Sequence, residues 1–523
     1  MLPISNRFYR RFLVFCCALV LSACTRLGPE YQEPQVAWLN KWQPDFYGQL
    51  DVDEAGSELD LRFWWHLFED PVLDQLIELA REQNLDLRIA GLRILQSRAQ
   101  LGIAGSSLYP QLQQLNGNLA GVESQSRGGD VPDDDQSFIS YQGGFNLGWE
   151  LDFWGKFKRG IESADANFFN SIDNHRNVQV LLNSQVAQLY YSYRINEQRI
   201  AIARQNAEIQ KRSFEITEKT FASGQESELD LQQAKSQYLG TLSIIPGLQV
   251  LLIQTRNALA TLLARPPGAI AELTPGNGVI PKINLVVLED IPASLLMRRP
   301  DIRAAAWQVA AQSAQIGIAE ADFYPSVSLL GSIGYSGTSE DSAPDSGLLT
   351  VGPGLTWNLF DHGKIANNIR LQDARLQQLI EQYQSTVLSA AREIDDAAIG
   401  AVKTLEQQKI LTLSVAASER ALTLANSRYR EGYSSFQRVL DAQRAVFSQT
   451  EQEVINQGNH ISSVIDLYKS LGGGWLEPTM AQIVPDDLRK TMQERSDWGD
   501  LLDTPLPPDP DGSSSISGAA HSE

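Results

Sequence analysis

The feature that most constrains this chain is an internal duplication. The phrase "AQLGIAGSSLYP", which ends at Pro110, is matched 215 residues later by "AQIGIAEADFYP", which ends at Pro325. Two later pairs, "WELDFWGK" with "WNLFDHGK" and "FASGQESELDLQQA" with "YREGYSSFQRVLDA", are each separated by 208 residues. The spacing changes once, so a loop of variable length is expected in that interval. The two halves are therefore predicted to be copies of one structural unit.

Each copy contains two stretches in which apolar and small or polar residues alternate. The clearest are Tyr141–Leu151 and Leu349–Leu359; a third follows Pro325 and a weaker one follows Pro110. Polar, acidic, turn-rich segments at 122–137 and 336–347 separate the paired stretches. One β-hairpin per copy is therefore predicted, with a long polar loop at its end.

Strands of about ten alternating residues are typical of a transmembrane β-barrel, although a half-buried hairpin of a soluble protein has the same pattern. Four strands cannot close a barrel, and unpaired strand edges are not tolerated in lipid. Membrane insertion would thus require several chains: three would supply twelve strands and a lumen, and two would supply eight. Trp149 and Trp357, near strand ends, suit an interfacial girdle of aromatic residues.

Outside the hairpins the pattern is helical. From Gly155 to Gly224 and from Gly363 to Gly432 the chain runs 69 residues without proline. At 1.5 Å per residue each interval predicts a helix of roughly 100 Å. Gly224 and Gly432 are predicted to turn the chain into a returning helix, and Pro246 is predicted to interrupt the first of these.

The N-terminus has the pattern of an export signal. Arginines precede the apolar run "FLVFCCALVLSAC", which is too short for a permanent membrane span. "LSAC" resembles a bacterial lipobox, which implies cleavage before Cys24 and attachment of diacylglycerol and an N-acyl chain; the alternative is an ordinary signal that contains cysteines. Thr25 follows, where an aspartate would suggest inner-membrane retention, so outer-membrane location is predicted. A single lipid anchor only tethers the protein.

Several classes of function are excluded by composition and motif. A net charge of −20 argues against a nucleic-acid partner. The five histidines are scattered, and the sequence has no nucleophile elbow, P-loop or dinucleotide fingerprint. We therefore expect no enzyme activity, no metal and no cofactor other than the lipid on Cys24. A structural coiled-coil lipoprotein remains an alternative, although it would not need the two hairpins.

These patterns divide the chain into segments. They are a signal peptide (1–23), an N-terminal extended segment (24–62), first-repeat helices (63–110), the first β-hairpin (111–152), the first long helical hairpin (155–265), a linker (266–290), second-repeat helices (291–325), the second β-hairpin (326–360), the second long helical hairpin (363–475) and a C-terminal segment with a disordered tail (476–523).

Several phrases together resemble one family. They are the lipobox followed by "LGPEYQEP", both Tyr-Pro phrases, "RRPDIRAA", "YREGYSSFQRVLDAQRAV" and "LYKSLGGGW". The chain from about Cys24 to about Trp475 resembles the outer membrane factors of tripartite efflux systems, the TolC-type channels, and within them the lipoprotein OprM/NodT-like branch. The Tyr-Pro pairs, Tyr109-Pro110 and Tyr324-Pro325, would then mark helix-to-strand junctions.

The resemblance implies an α+β membrane protein. Three chains would form a twelve-stranded transmembrane β-barrel, with four strands from each chain, continued by a long periplasmic α-helical barrel. It also implies a periplasmic adaptor and an inner-membrane transporter, of the resistance-nodulation-division type, as partners in small-molecule efflux. An exit duct for type I protein secretion is the nearest alternative. The sequence carries no signature of the cargo.

The resemblance further implies a gate at the periplasmic tip. Asp441 falls where the family has an acidic ring, Phe436 where it often has an apolar constriction, and Arg444 one turn further on. Arg438 stands where some members carry a second acid, and Asp230 is its counterpart in the first copy, which would allow a salt bridge between hairpins. The alternative is that Asp441 and Arg444 form only a surface i,i+3 pair.

Overall fold

The structure is a computed structural model that describes residues 26–39, 42, 61–126, 134–273, 280–281, 296–339 and 345–508. The predicted signal peptide and Cys24 lie outside these residues, as does the tail after residue 508.

Within the described residues, long helices dominate and one antiparallel sheet is present. The α-helices are α1 (Pro71–Gln83), α2 (Leu85–Ser106), α3 (Lys156–Ala222), α4 (Glu228–Leu262), α5 (Pro300–Ala321), α6 (Lys364–Arg430), α7 (Phe436–Ser470), α8 (Met480–Ile483) and α9 (Asp486–Arg495). The strands are β1 (Leu112–Ser126), β2 (Asp134–Leu151), β3 (Ser326–Thr338) and β4 (Ser346–Thr356). Short 3₁₀ helices cover Leu61–Phe68 and Gly499–Leu502.

The chain divides into two compact units. One comprises the residues up to Gln35 together with Ile94–Ser171 and Ala304–Gln384, and it contains the sheet. Its four strands lie in the order β1-β2-β3-β4, and all three pairings are antiparallel. The two predicted hairpins are therefore present, and they are joined through β2 and β3.

The strands extend further into the polar segments than the alternation of hydrophobicity indicated, although β4 ends at Thr356 rather than at Leu359. The polar segment at 122–137 was expected to be loop, but β1 continues to Ser126 and β2 begins at Asp134. Similarly, β3 continues to Thr338 and β4 begins at Ser346. Backbone ladder bonds do not require apolar side chains, so pairing continues where the hydrophobic pattern stops.

The second unit comprises Val36–Arg93, Ile172–Arg303 and the chain from Ser385 onward. Aromatic residues form part of its core: the ring of Trp64 stacks on that of Tyr468 at 5.8 Å, and Phe68 packs on Tyr191 at 5.1 Å. The side chain of Asp70 accepts hydrogen bonds from the backbone of Val72 and Leu73, with proline at the first helical position. Asp70 is thus the N-cap of α1, and it satisfies backbone donors that the helix start would leave unpaired.

The helices α3 and α6 have 67 residues each, which corresponds to roughly 100 Å. Both end in a left-handed glycine, Gly224 at φ +73° and Gly432 at φ +79°. In both turns the residue after the glycine donates a backbone hydrogen bond five residues back, Gln225 to Thr220 and Tyr433 to Arg428. This arrangement satisfies carbonyls that the helix end would leave unpaired.

One expectation for the returning helices is wrong. Pro246 was predicted to interrupt the first of them, but α4 runs unbroken from Glu228 to Leu262 with Pro246 inside it. Pro246 and Gly247 are both exposed. Water can therefore satisfy the carbonyl that loses its backbone donor, which lowers the cost of a proline inside the helix.

Candidate channel-forming surfaces

The register of the sheet places its large apolar side chains on one face. Leu115 is opposite Phe145, Phe145 is opposite Ile333, and Ile333 is opposite Leu349, so one row crosses all four strands. Successive residues of a strand point to opposite faces, so every odd-numbered residue of the four strands lies on the face of this row. The described apolar members of this face are Leu115, Leu119, Ile139, Tyr141, Phe145, Leu147, Trp149, Leu151, Val327, Leu329, Ile333, Tyr335, Leu349, Val351 and Leu355.

Much of this apolar face is uncovered within the single chain. Leu115 is 82% exposed, Leu349 and Val351 are each 71% exposed, and Leu355 is 68% exposed. A contiguous apolar surface of this kind on a soluble monomer marks a site of interaction with protein or membrane.

The even-numbered face is small and polar. Asn116, Gly144 and Gly334 form a row across three strands, and serine, threonine, asparagine and glutamine side chains fill much of the remainder. Leu112, Val122, Phe138, Leu330 and Leu348 are the larger apolar exceptions with described side chains. Apolar residues on one face and small polar residues on the other are the pattern of a transmembrane β-barrel.

Each outer strand of the sheet has one partner among the described strands. β1 pairs with β2 alone, and β4 pairs with β3 alone. Each outer edge therefore carries backbone N–H and C=O groups that the described sheet does not pair. Such edges require another chain or water as a partner.

The tryptophans predicted at the membrane interface tie strands to helix ends. Trp149 Nε1 donates to the carbonyl of Leu108 at 3.2 Å, and Trp357 Nε1 donates to that of Phe323 at 2.9 Å. Leu108 and Phe323 both directly precede a Tyr-Pro junction. The chain thus makes the same contact twice, once at each change from helix to strand.

The two Tyr-Pro junctions differ in how far they are covered. Tyr109 is 70% exposed. Tyr324 stacks on Trp154 at 4.6 Å between ring centroids, and Trp154 Nε1 donates to the carbonyl of Pro325 at 2.8 Å. Trp154, which lies just before α3, therefore covers the second Tyr-Pro junction.

The residues predicted to form the gate lie near the turns of the two helical hairpins. Phe436 is buried with Val439, Leu440 and Ala234, and its ring lies 5.3 Å from that of Tyr429. Phe436 therefore packs within its own chain. The apolar constriction that the family resemblance implies would require several copies of the chain, and it stays a prediction.

Tyr429 also connects the two hairpins. Its hydroxyl donates to a carboxylate oxygen of Glu226 at 2.8 Å. Burial, followed by this hydrogen bond, raises the pKa of Tyr429 to about 12. The neutral phenol is therefore the form that the packed tip stabilises.

Three of the charged candidates at the tip, Asp441, Arg444 and Arg438, are solvent-exposed, and Asp230 is half-buried. Arg444 Nη1 lies 3.6 Å from Asp441 Oδ1, and Gln437 donates to the same oxygen at 3.1 Å. Asp230 accepts a hydrogen bond from the hydroxyl of Ser227 at 2.6 Å, while Arg438 is exposed to solvent. The chain thus places Asp230 in the N-terminal cap of α4 and forms no ion pair between it and Arg438.

A buried arginine not identified from the sequence holds the N-terminal segment in place. The side chain of Arg159 is 1% exposed and donates to the carbonyls of Leu27 and Gly28, at 2.9 and 3.3 Å, and to Glu30 at 2.8 Å. Gly28 has φ +85° and lies against Gly317 of α5. A lone arginine near a helix start has no periodic signature, so nothing in the sequence distinguishes it from a solvated one.

The chain is similar to known outer membrane efflux proteins. The family model described as outer membrane efflux protein matches residues 76–265 and 291–473. The chain is 30% identical to the probable outer membrane lipoprotein SilC of Salmonella typhimurium over 90% of its length and 100% of that protein. It is 30% identical to the toluene efflux pump outer membrane protein TtgC of Pseudomonas putida, over 88% and 95% of the two chains.

The cation efflux system protein CusC of Escherichia coli is also 30% identical, over 89% of this chain and 99% of that protein. A crystal structure of CusC, from work on transmembrane channel formation, superposes with a TM-score of 0.71 at 28% identity and covers 86% of this chain and 100% of that one. These matches confirm the predicted family resemblance, the outer-membrane location and the efflux-channel class of function. The chain belongs to the outer membrane efflux protein family.

Proposed function

We propose that three copies of this chain form the exit channel of a tripartite efflux pump. The observation that carries the proposal is the sheet: one face apolar and exposed, the other small and polar, and both outer edges unpaired. Pairing β4 of one copy with β1 of the next removes every edge, as a structure in lipid must. Three copies give twelve strands and a lumen, whereas two would give an eight-stranded barrel whose interior side chains fill.

The long helices support assembly with further copies. α4 is long and apolar enough by composition to cross a membrane, yet most of its apolar stretch is exposed in the single chain. Leu239, Val250 and Ile253 are about half exposed. We assign this surface to contacts between copies, because α4 returns directly from the highly charged helix α3, which could not cross a lipid bilayer.

The proposed partners are a periplasmic adaptor and an inner-membrane transporter of the resistance-nodulation-division type. The relatives named for toluene and for cation efflux have similar identity to this chain. The proposed cargo is therefore small molecules as a class, and the transporter would mainly determine which of them are exported. Cys24 is proposed to carry the lipid anchor, as an addition to the barrel.

At the tip we propose that three copies of Asp441 approach one another in the closed state. Like charges repel, so Arg444 would stabilise closure by pairing with Asp441. Phe436 would hold the tip together within each copy, and Gly224 and Gly432 would set the turns.

The proposal is tested by reconstitution. Protein purified from outer membranes should insert into planar lipid bilayers and conduct ions, and it should migrate as a heat-modifiable trimer in mild detergent. A protein that binds vesicles through its lipid alone and carries no current would be a tether, and the channel assignment would fail.

A further inference from the structure

We infer that Glu150 is a charge filter where the barrel lumen meets the periplasmic side, and that it favours cations over anions. The inference rests on the proposed channel, in which the even-numbered face of the sheet lines the lumen. It concerns a residue to which neither the family resemblance nor the gate gives a role.

The register places Glu150 on the polar face. Glu150 is opposite Ser328, which is itself opposite Gly354. A Cβ atom added at Gly148, two residues earlier on the same face, would contact Leu112 and Leu330, both even-numbered. A Cβ atom at Gly331 would instead contact Leu147, which is odd-numbered. Residues with even numbers therefore contact one another on one face, and residues with odd numbers do so on the other, as the strand register predicts.

Glu150 brings a charge to a face whose neighbouring side chains are neutral. Among the described side chains of the even-numbered face it is the one ionisable group, and the others are small, amide, hydroxyl, aliphatic or, at Phe138, aromatic. A single fixed charge in neutral surroundings dominates the local potential. Three copies would place three carboxylates at one level of the lumen.

The backbone at this point is fixed. The amide of Glu150 donates to Gln111 Oε1 at 2.7 Å, and its carbonyl accepts from Gln111 Nε2 at 3.2 Å. The neighbouring Trp149 is bonded to the helix end at Leu108. Glu150 therefore stands on a rigid strand end, at the side of the sheet where the helices begin.

The electrostatic effect should depend on salt in a defined way. The screening length is about 3 Å at 1 M salt and about 30 Å at 0.01 M. In dilute salt the field of three carboxylates would extend across a wide lumen, and in concentrated salt it would be confined to the wall. Cation preference due to Glu150 should therefore rise as the salt is diluted.

The test measures reversal potentials of reconstituted channels across KCl gradients. Glu150→Gln should lower the K⁺/Cl⁻ permeability ratio on the order of twofold in dilute salt and have little effect at 1 M. Glu150→Lys should lower it further. The control is Glu123→Gln, which removes a carboxylate from the odd-numbered face of β1 and should leave the ratio unchanged.

A second measurement reports on position alone. In membranes, Glu150→Cys should react with a membrane-impermeant thiol reagent above the wild-type background, and Leu147→Cys, on the apolar face, should not. Conducting channels whose permeability ratio is unchanged by Glu150→Gln would overturn the filter and leave the channel intact. Wild-type protein that carries no current would overturn the proposed function itself.

Discussion

At the scale of single residues, the close approach of Gly28 to Gly317 has a matched counterpart in the same chain. A Cβ atom at Gly317 would lie 2.4 Å from the carbonyl oxygen of Leu27 and 3.0 Å from Arg159. Gly102 occupies the corresponding place in the first repeated phrase, and a Cβ atom there would meet nothing within 4 Å. Of these two glycines in nearly identical sequences, only Gly317 is required by a close approach within the described chain.

Gly317→Ala should destabilise the protein by about 2 kcal/mol, because the obstructing atom belongs to the backbone and cannot move aside. Gly102→Ala should be neutral, or stabilising by up to about 1 kcal/mol, since alanine is the better helix former. Thermal unfolding of both variants in detergent measures the difference. Equal unfolding temperatures would show that the N-terminal segment does not occupy this groove.

Tyr429 makes the hairpin tip sensitive to alkaline pH. Its pKa is about 12 in the folded tip, above the ordinary value of about 10 in the unfolded chain. The stabilisation is therefore fully present below pH 10 and is lost as the pH rises towards 12, because the unfolded chain loses the proton first. Hydrogen exchange around residues 424–440 should accelerate over this range.

Tyr429→Phe is the matched control for this pH dependence. It removes the titrating hydroxyl and keeps the ring against Phe436. The variant should show less acceleration of exchange between pH 10 and 12, although the lost bond to Glu226 weakens the tip at neutral pH. An identical alkaline profile in both proteins would assign the effect to other groups.

At the scale of secondary-structure elements, the two faces of the sheet should respond differently to charge. Leu349→Lys places an ammonium on the apolar face and should cost about 2–4 kcal/mol near the bilayer midplane. Thr350→Lys, one residue along β4, places it on the polar face, where water is available. The fraction of protein recovered as inserted, heat-modifiable oligomer should fall for Leu349→Lys only. Equal recovery would contradict the assignment of the faces.

The Asp441–Arg444 pair at the start of α7 is the second element that can be tested. If Asp441 and Arg444 hold the tip closed in the assembly, their joint replacement by alanine should raise resting conductance. If they are only the exposed 3.6 Å pair of the single chain, they contribute a few tenths of a kcal/mol and conductance will not change. Lys403→Ala is the control. It breaks a different i,i+3 ion pair, with Glu406 on α6, and reports whether the loss of any such pair weakens the helical hairpins enough to change conductance.

The sequence predicted elements best where one local rule determines the structure. Alternation located the strands, and left-handed glycines located the two turns. Prediction from the sequence failed where the structure depends on solvent exposure or on residues far apart in the chain. Pro246 does not break α4 because the site is exposed, and the contacts of Arg159 with Leu27 and Glu30 join residues more than 120 positions apart. Neither fact is encoded in a local pattern.

At the scale of the whole molecule, a single chain leaves apolar surfaces and strand edges that a membrane protein has to cover or pair. The described sheet has two unpaired edges and an exposed apolar face, and α4 leaves most of its apolar surface uncovered. Contact of α4 with other copies, and of the apolar sheet face with lipid, would remove these surfaces from water and stabilise the assembly at roughly 25 cal/mol per Å² of apolar area. Folding and assembly are therefore expected to be coupled.

The most direct test of this account is an electron cryomicroscopy structure of the purified protein in lipid nanodiscs. We expect three copies around one axis, with β4 of each copy paired to β1 of the next and a continuous lumen inside the twelve strands. A single copy, or copies whose outer strands stay unpaired with no passage between them, would contradict it.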